Sequence, residues 1–381
     1  MNVQKKLLLI GQFPPPYHGT SIALDTIRSS EIINKYYCIT QINTNRPDLP
    51  TDVEIGKIRW YKITQDIYHI FSLFNKLLTE KPCLVYITIA QTKWGYLRDG
   101  IFIVVSRLFK KKCIVHLHGG YFRLLYNNSW KLFQCWVKFT LRQVDVAIVL
   151  TESLRSIFAG LVDDNRIKVV INCIDDYLFP TSTEIEEKVD RIKKRSGKLL
   201  KVLFLSNLLK SKGYMDVLKA AILLKQKGIS AQFLFAGNWP NAKEQSEAIN
   251  FIKKNNLDNV EFLGFVKEKE KKQLLLDSDI FILPTYYYEG LPISILEAMA
   301  TGLPIITTRH GGIPGIIEEG INGFFVPPGN PEMIAETIEK LYFHPYLQAK
   351  IAEENIKKAL NNFKKEHYEK SLLEIFNKVL N

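Results

Sequence analysis

Short, continuously apolar runs alternate with longer amphipathic stretches almost from end to end of the chain. Residues 6–11, 84–87, 113–117 and 146–150 predict buried strands, and residues 67–80, 96–110 and 130–143 predict the helices around them. Apolar strands spaced by helices argue for a parallel sheet covered on both faces. The pattern weakens over 175–198, where Glu184, Glu186, Glu187, Lys188, Lys193, Lys194 and Arg195 crowd a polar segment, read here as a linker with a short exposed helix. It then restarts, with strands expected at 201–205, 232–236, 260–263, 280–283 and 304–307. Helices are expected at 214–227, 242–255, 267–276, 291–301 and 331–343. The tail, 357–381, reads as one helix packing through Phe363, Leu372, Leu373, Ile375, Phe376 and Leu380. The fold class is α/β: two doubly wound, Rossmann-like domains facing each other across a cleft. In such sheets ligands bind outside the carboxyl ends of the strands, so chemistry is sought in those loops.

Composition narrows the class. With 381 residues, 46% hydrophobic and 24% charged, the chain is neither disordered nor collagen-like and is long enough for sizeable cores. Five cysteines without a Cys-x-x-Cys pair give no disulfide framework and no zinc knuckle, and fit a reducing cytoplasm. The run Leu7-Leu8-Leu9-Ile10 is too short for a signal-peptide core, and no apolar stretch reaches the ~18 residues of a membrane span. The expectation is a cytoplasmic protein, at most peripheral on a membrane. The net charge of +12 is uneven: residues 81–150 hold eleven basic side chains and two acidic ones, whereas 181–381 hold 28 and 25. A basic surface confined to one region suggests a polyanionic partner, either nucleic acid or anionic lipid headgroups.

Four loops carry candidate chemistry. The first strand leads through Pro14-Pro15-Pro16-Tyr17-His18 to Gly19-Thr20-Ser21, where Thr20 or Ser21 can cap a helix and Gly19 lets an anion approach the helix-start amides. His118 follows the strand at 113–117 and precedes Gly119-Gly120, which open space for a ligand beside it. His116 makes a His-x-His pair with it, but no third metal ligand is close in sequence, so metal ranks below ligand binding. Lys212, or its competitor Lys210, sits just before a helix where an ammonium can pair with phosphate. Then comes Glu289-Gly290-Leu291-Pro292, with Glu297 eight residues beyond Glu289, about 12 Å along a helix at ~1.5 Å per residue. Pro292 fits the first helical turn, leaving the amides of Gly290 and Leu291 free at the positive end. Two carboxylates flanking free amides suit a ligand with a hydroxylated group at each end of a diphosphate.

These residues resemble the retaining GT-B glycosyltransferases of family four, the glycosyl transferases group 1. The resemblance runs over nearly the whole chain and is most specific from 281 to 328. It rests there on Glu289-x7-Glu297, Ala298-Met299-Ala300-Thr301-Gly302-Leu303-Pro304, Gly311-Gly312-Ile313-Pro314-Gly315 and Asn322-Gly323-Phe324-Phe325-Val326-Pro327-Pro328-Gly329. It implies an acceptor-binding domain over 1–178, a donor-binding domain over 179–363, and a final helix, 364–381, returning to the first. It implies that Glu289 holds donor-sugar hydroxyls, Glu297 the ribose and Lys212 the diphosphate. His118 would contact the sugar near the reacting centre, and Gly19 would lie against the diphosphate. Gly290 and Leu291 would bind donor through their amides. Asn207 stands where many members carry an arginine, so Lys212, with Lys210, must carry more of the phosphate charge. His18 replaces a common glycine.

The implied reaction moves a sugar, with retention, from a UDP- or GDP-linked donor to a glycan or lipid-linked acceptor in cell-surface polysaccharide synthesis. It uses no metal or other cofactor. The basic N-terminal helices would meet an anionic membrane on its cytoplasmic side. Two rivals stand beside this reading: a nucleotide-sugar epimerase of the same fold, and a nucleic-acid-binding protein using 81–150. The latter would leave Glu289 and Glu297 unexplained.

Overall fold

The computed structural model describes residues 4–15, 18–45, 60–194 and 199–381. Arg195 of the polar segment, and Pro16 and Tyr17 of the first loop, lie outside them. The chain divides into two compact units, Met1–Asn172 with Lys365–Asn381, and Cys173–Lys364.

The first unit is built on β1 (Lys5–Gly11), β2 (Tyr37–Asn43), β3 (Leu84–Thr88), β4 (Lys112–His116), β5 (Val146–Val149) and β6 (Ile167–Val169). They form one sheet in the order β2-β1-β3-β4-β5-β6, and every pairing is parallel. The central strands are the apolar runs of the sequence: Leu7 to Ile10, Leu84 to Ile87 and Cys113 to Val115 are fully buried. β2 escapes sequence reading because it is a half-exposed strand with polar residues, and β6 because it has only three residues. Helices Trp60–Thr79, Lys93–Leu108 and Lys131–Leu141 pack side by side. Each begins or ends a few residues from its expected bounds.

The second unit holds β7 (Leu200–Leu205), β8 (Ala231–Ala236), β9 (Val260–Gly264), β10 (Ile280–Leu283), β11 (Ile305–Thr307) and β12 (Gly323–Phe325). The order is β12-β11-β10-β7-β8-β9, again all parallel.

Two expectations are corrected. The polar segment is not a linker with an exposed helix. Helix Ser182–Lys193 starts with a capping box, Glu184 N donating to Thr181 Oγ1 at 3.2 Å and Thr181 N to Glu184 Oε2 at 2.7 Å. Its Val189 and Ile192 pack on Ala349 and Ala352, and the buried Lys188 donates to Leu275 O at 2.9 Å. Three side chains at helical spacing bury a face that the surrounding charges hide from a composition reading. The tail is likewise two helices, Pro345–Asn362 and Lys365–Leu380, separated at the buried Phe363. Leu372 and Phe376 are fully buried, while Leu373, Ile375 and Leu380 are only half-buried. Within the first unit Phe376 lies edge-on to Tyr37 and Tyr86, at 6.0 and 5.8 Å between centroids.

Candidate functional site

In the second sheet the winding reverses between β7 and β10, which are neighbours. Loops leaving such a pair at their carboxyl ends part company, and ligands of doubly wound sheets bind at that point. Lys212 lies on the loop after β7, and Glu289 on the loop after β10.

The two loops are locked together by backbone. Gly213, at φ +82°, closes the turn Lys210–Lys212, and a Cβ there would fall 2.2 Å from Pro284 O. Tyr286 N donates to Ser211 O at 2.8 Å. The result is a direct ion pair: Lys212 Nζ donates to Glu289 Oε1, with the side chains 18% and 11% exposed. Thr285 Oγ1 donates to the same oxygen at 3.1 Å. Glu289 Oε2 meets no hydrogen-bond partner among the described residues. The Gly311-Gly312 pair has its reason here too. Gly312 N donates to Glu289 O at 3.1 Å, and a Cβ on Gly311, itself at φ +58°, would sit 1.8 Å from that oxygen.

The structure separates the two candidate lysines. Lys210 turns outward to an exposed pair with Glu247 at 2.7 Å, whereas Lys212 turns in. Asn207 is exposed, and its side chain makes no hydrogen bond among the described residues.

Helix Ile293–Ala300 is shorter than expected, and Pro292 is its cap residue (φ −61°, ψ 121°) rather than part of its first turn. The extended ψ places the proline ring before the helix and starts the helix one residue later. The amides of the buried Gly290 and Leu291, and of Ile293 and Ser294, have no hydrogen-bond partner among the described residues, so the positive helix end is open. Inside the helix, Glu297 is 7% exposed. Its Oε1 accepts from Lys271 Nζ at 2.6 Å, and its Oε2, like that of Glu289, is unpaired among the described residues. Burial alone would pull the Lys271 ammonium down, but Glu297 beside it turns the net shift upward. Tyr177, from the turn Asp176–Leu178, stands beside Lys271. Sequence reading missed Lys271, Thr285 and Tyr177. Lys271 is one of four lysines between 267 and 272, and nothing in that run marks it.

In the first unit the helix Gly19–Ser29 is capped by His18, not by Thr20 or Ser21. His18 Nδ1 accepts from Ser21 N at 3.3 Å, and His18 N donates to Ser21 Oγ at 3.0 Å. Gly19 is the first helical residue. His118 lies against His116 with ring centroids 4.0 Å apart, and both of its ring nitrogens are shut off from solvent without a partner among the described residues. Burial, with the nearby His18, pushes its pKa down to about 3, so the ring is neutral. His116 Nδ1 pairs with the Tyr86 hydroxyl. Gly119 does not open space for a ligand. A Cβ there would land 1.6 Å from Gln91 Nε2, because the glycine makes room for that amide, whose Oε1 accepts from Tyr121 N at 2.7 Å. Among the described residues no three His, Cys, Asp or Glu side chains gather as a metal site.

Solved structures align over nearly the full chain. Anabaena HepE in complex with UDP is 18% identical, with a TM-score of 0.73 and coverage of 98% of this chain and 100% of its own. A glycosyltransferase from Rickettsia africae is 17% identical, with a TM-score of 0.76 and 99% of each chain covered. At that identity the likeness defines the fold: this is a GT-B protein. Residues 185–358, a little under half of the chain, match the family model for glycosyl transferases group 1. Among curated relatives, the amylovoran biosynthesis glycosyltransferase AmsK of Erwinia amylovora is 29% identical over 45% of this chain and 44% of its own. The putative colanic acid biosynthesis glycosyltransferase WcaL of Salmonella typhimurium is 31% identical over 37% and 36%. The matched segment thus spans less than half the length of these relatives.

Proposed function

We propose that this protein transfers a sugar from a UDP- or GDP-linked donor to a glycan or lipid-linked saccharide in cell-surface polysaccharide synthesis. The observation that carries the reading is the pair of buried glutamates, Glu289 and Glu297. Each has one oxygen on a lysine and, among the described residues, the other unpaired, and between them lie the amides of Gly290 and Leu291, open among the same residues. A carboxylate oxygen held ready but unpaired is an acceptor for a hydroxyl, while amides and an ammonium at a helix start suit a diphosphate. The names of the polysaccharide-synthesis relatives and the UDP of the HepE structure support the same substrate class.

The step proposed joins the acceptor oxygen to the anomeric carbon as that carbon's bond to the diphosphate oxygen breaks. The acceptor's proton passes to the leaving phosphate, and attack comes from the departing group's own face, which retains configuration. Lys212 and the amides near Gly290 and Leu291 offset the charge that develops on the leaving group, so no divalent ion is needed. Asn207, exposed on the same loop, adds a neutral contact to the donor. The first unit carries the other candidate residues, the neutral His118 ring and Gly19. That unit takes the acceptor, with its basic helices resting on an anionic membrane on the cytoplasmic side.

The test is a panel of UDP- and GDP-sugars, scored for binding and slow hydrolysis, with Glu289→Ala as control. Binding of at least one donor, lost in the variant, is expected. A wild-type protein that binds and hydrolyses none of them would overturn the reading.

A further inference from the structure

Lys271 belongs to no motif of the sequence, yet its Nζ donates to a site carboxylate, Glu297 Oε1, at 2.6 Å. The pair is nearly enclosed, with side chains 20% and 9% exposed. Lys271 comes from helix Glu268–Asp277 and Glu297 from helix Ile293–Ala300, so the contact ties two helices together through residues 26 positions apart. A carboxylate on a helix has free rotation about its last torsion, and two equivalent oxygens would exchange unless one were held. Lys271 holds Oε1. Oε2 is left as a defined acceptor on a buried side chain, with no competing partner among the described residues.

Resting on the reading of Glu297 as the ribose-binding carboxylate, we propose that Lys271 is a positioning residue for nucleotide recognition: it fixes Glu297 so that the unpaired Oε2 receives the ribose hydroxyls of the donor. Lys271 does not touch the nucleotide in this arrangement. Its effect passes wholly through Glu297, and that makes it separable from a general structural role or a phosphate contact.

The experiment is calorimetric binding of UDP and GDP, and of their 2′,3′-dideoxy forms, to the full chain and to Lys271→Gln, Lys271→Arg and Glu297→Gln. Wild type should prefer the ribonucleotide by about tenfold or more, the scale of one hydrogen bond to a charged group. Lys271→Gln should lose most of that preference while binding the dideoxy form as wild type does. Lys271→Arg, which keeps a charged donor, should retain most of it and keeps the test readable if the glutamine variant folds poorly. Equal weakening of both nucleotide forms in Lys271→Gln, or no change in either, would overturn the role assigned to Lys271. If instead Glu297→Gln keeps the full ribonucleotide preference, or wild type has none, the ribose reading of Glu297 itself falls.

Discussion

The Lys212 ammonium rests on Oε1 of Glu289 across the switch point of the second sheet, so the residue read as the phosphate clamp and the residue read as the sugar clamp begin as each other's partner. On the function proposed above, a donor would displace this pair, its diphosphate taking the lysine as its sugar hydroxyls take the glutamate.

This pairing separates stability from turnover. Lys212→Ala leaves a carboxylate largely buried and unpaired, a change that costs about 3–5 kcal/mol when the burial is complete. Thermal unfolding should therefore shift down by several degrees. Turnover should fall by about 10²- to 10³-fold, as when one preorganised charge partner is removed. The double variant Lys212→Ala/Glu289→Gln should regain the unfolding temperature and none of the turnover. Wild-type turnover in Lys212→Ala would remove the lysine from the site.

The sheets were legible because parallel strands buried on both faces are written as unbroken apolar runs, such as Leu7 to Ile10 and Ile280 to Leu283. The loops after β7 and β10 were legible for a related reason: glycine, proline and glutamate stand out against those runs. What remained hidden was contact at long sequence separation. Lys271 reaches Glu297 through a fold and not a motif, and the same holds for Lys188 reaching Leu275 O. His18 as a cap was hidden because serine and threonine, the usual caps, stand two and three residues away. Gly119 misled for a third reason, since a glycine that opens space and one that yields it to a neighbour look alike in sequence.

Transfer should not depend on a divalent ion, since an ammonium and open amides stand where the diphosphate charge would develop. Turnover in excess chelator should match turnover in Mg²⁺ or Mn²⁺ to within about twofold. Abolition by the chelator, with recovery on adding either ion, would refute this.

Lys188 gives the second unit a pH dependence whose sign can be worked out. Burial, with the neighbouring Arg191, pushes its pKa down to about 7 from an ordinary 10.5. Between those values the unfolded chain binds the extra proton, so stability rises with pH across the window, by up to about 1.4 kcal/mol per unit. Below pH 7 both states are protonated and this contribution is flat. Urea unfolding followed from pH 7 to 10 should show that rise in wild type and a flatter profile in Lys188→Met. An identical slope in the two would mean that Lys188 is charged in the folded state throughout.

The last prediction concerns the basic face of the first unit. No described helix is long and apolar enough to cross a membrane. The helix Lys93–Leu108 also cannot offer its whole apolar face to lipid, because Tyr96, Phe102 and Ile103 are fully buried in the core. Among the apolar side chains that the three neighbouring helices expose are Phe71 and Leu78, then Trp94 and Leu108, then Leu132 and Phe139, with Trp130 at the start of the third. Around these stand basic side chains of two kinds. Arg98 is held by Asp99 and Asp66, and Arg107 and Lys112 by Asp145, so these three are committed within the protein. Lys110 and Lys131 are exposed and Lys111 half-buried, with no ion pair to any described residue. At about 1 kcal/mol per basic residue near an anionic surface, three such lysines with a few inserted apolar side chains suffice for reversible attachment. Cosedimentation with vesicles containing anionic lipid should therefore exceed that with neutral vesicles. It should fall steeply as salt rises to 1 M, where screening shortens to ~3 Å. Replacing Lys110, Lys111 and Lys131 by glutamate should weaken it further while nucleotide binding by the second unit is kept. Lys112 is left alone in this variant because a glutamate there would face Asp145, which holds the Cys113 amide at 2.8 Å and with it the start of β4. Equal sedimentation with both vesicle types, or with neither, would make Lys110, Lys111 and Lys131 ordinary solvated surface.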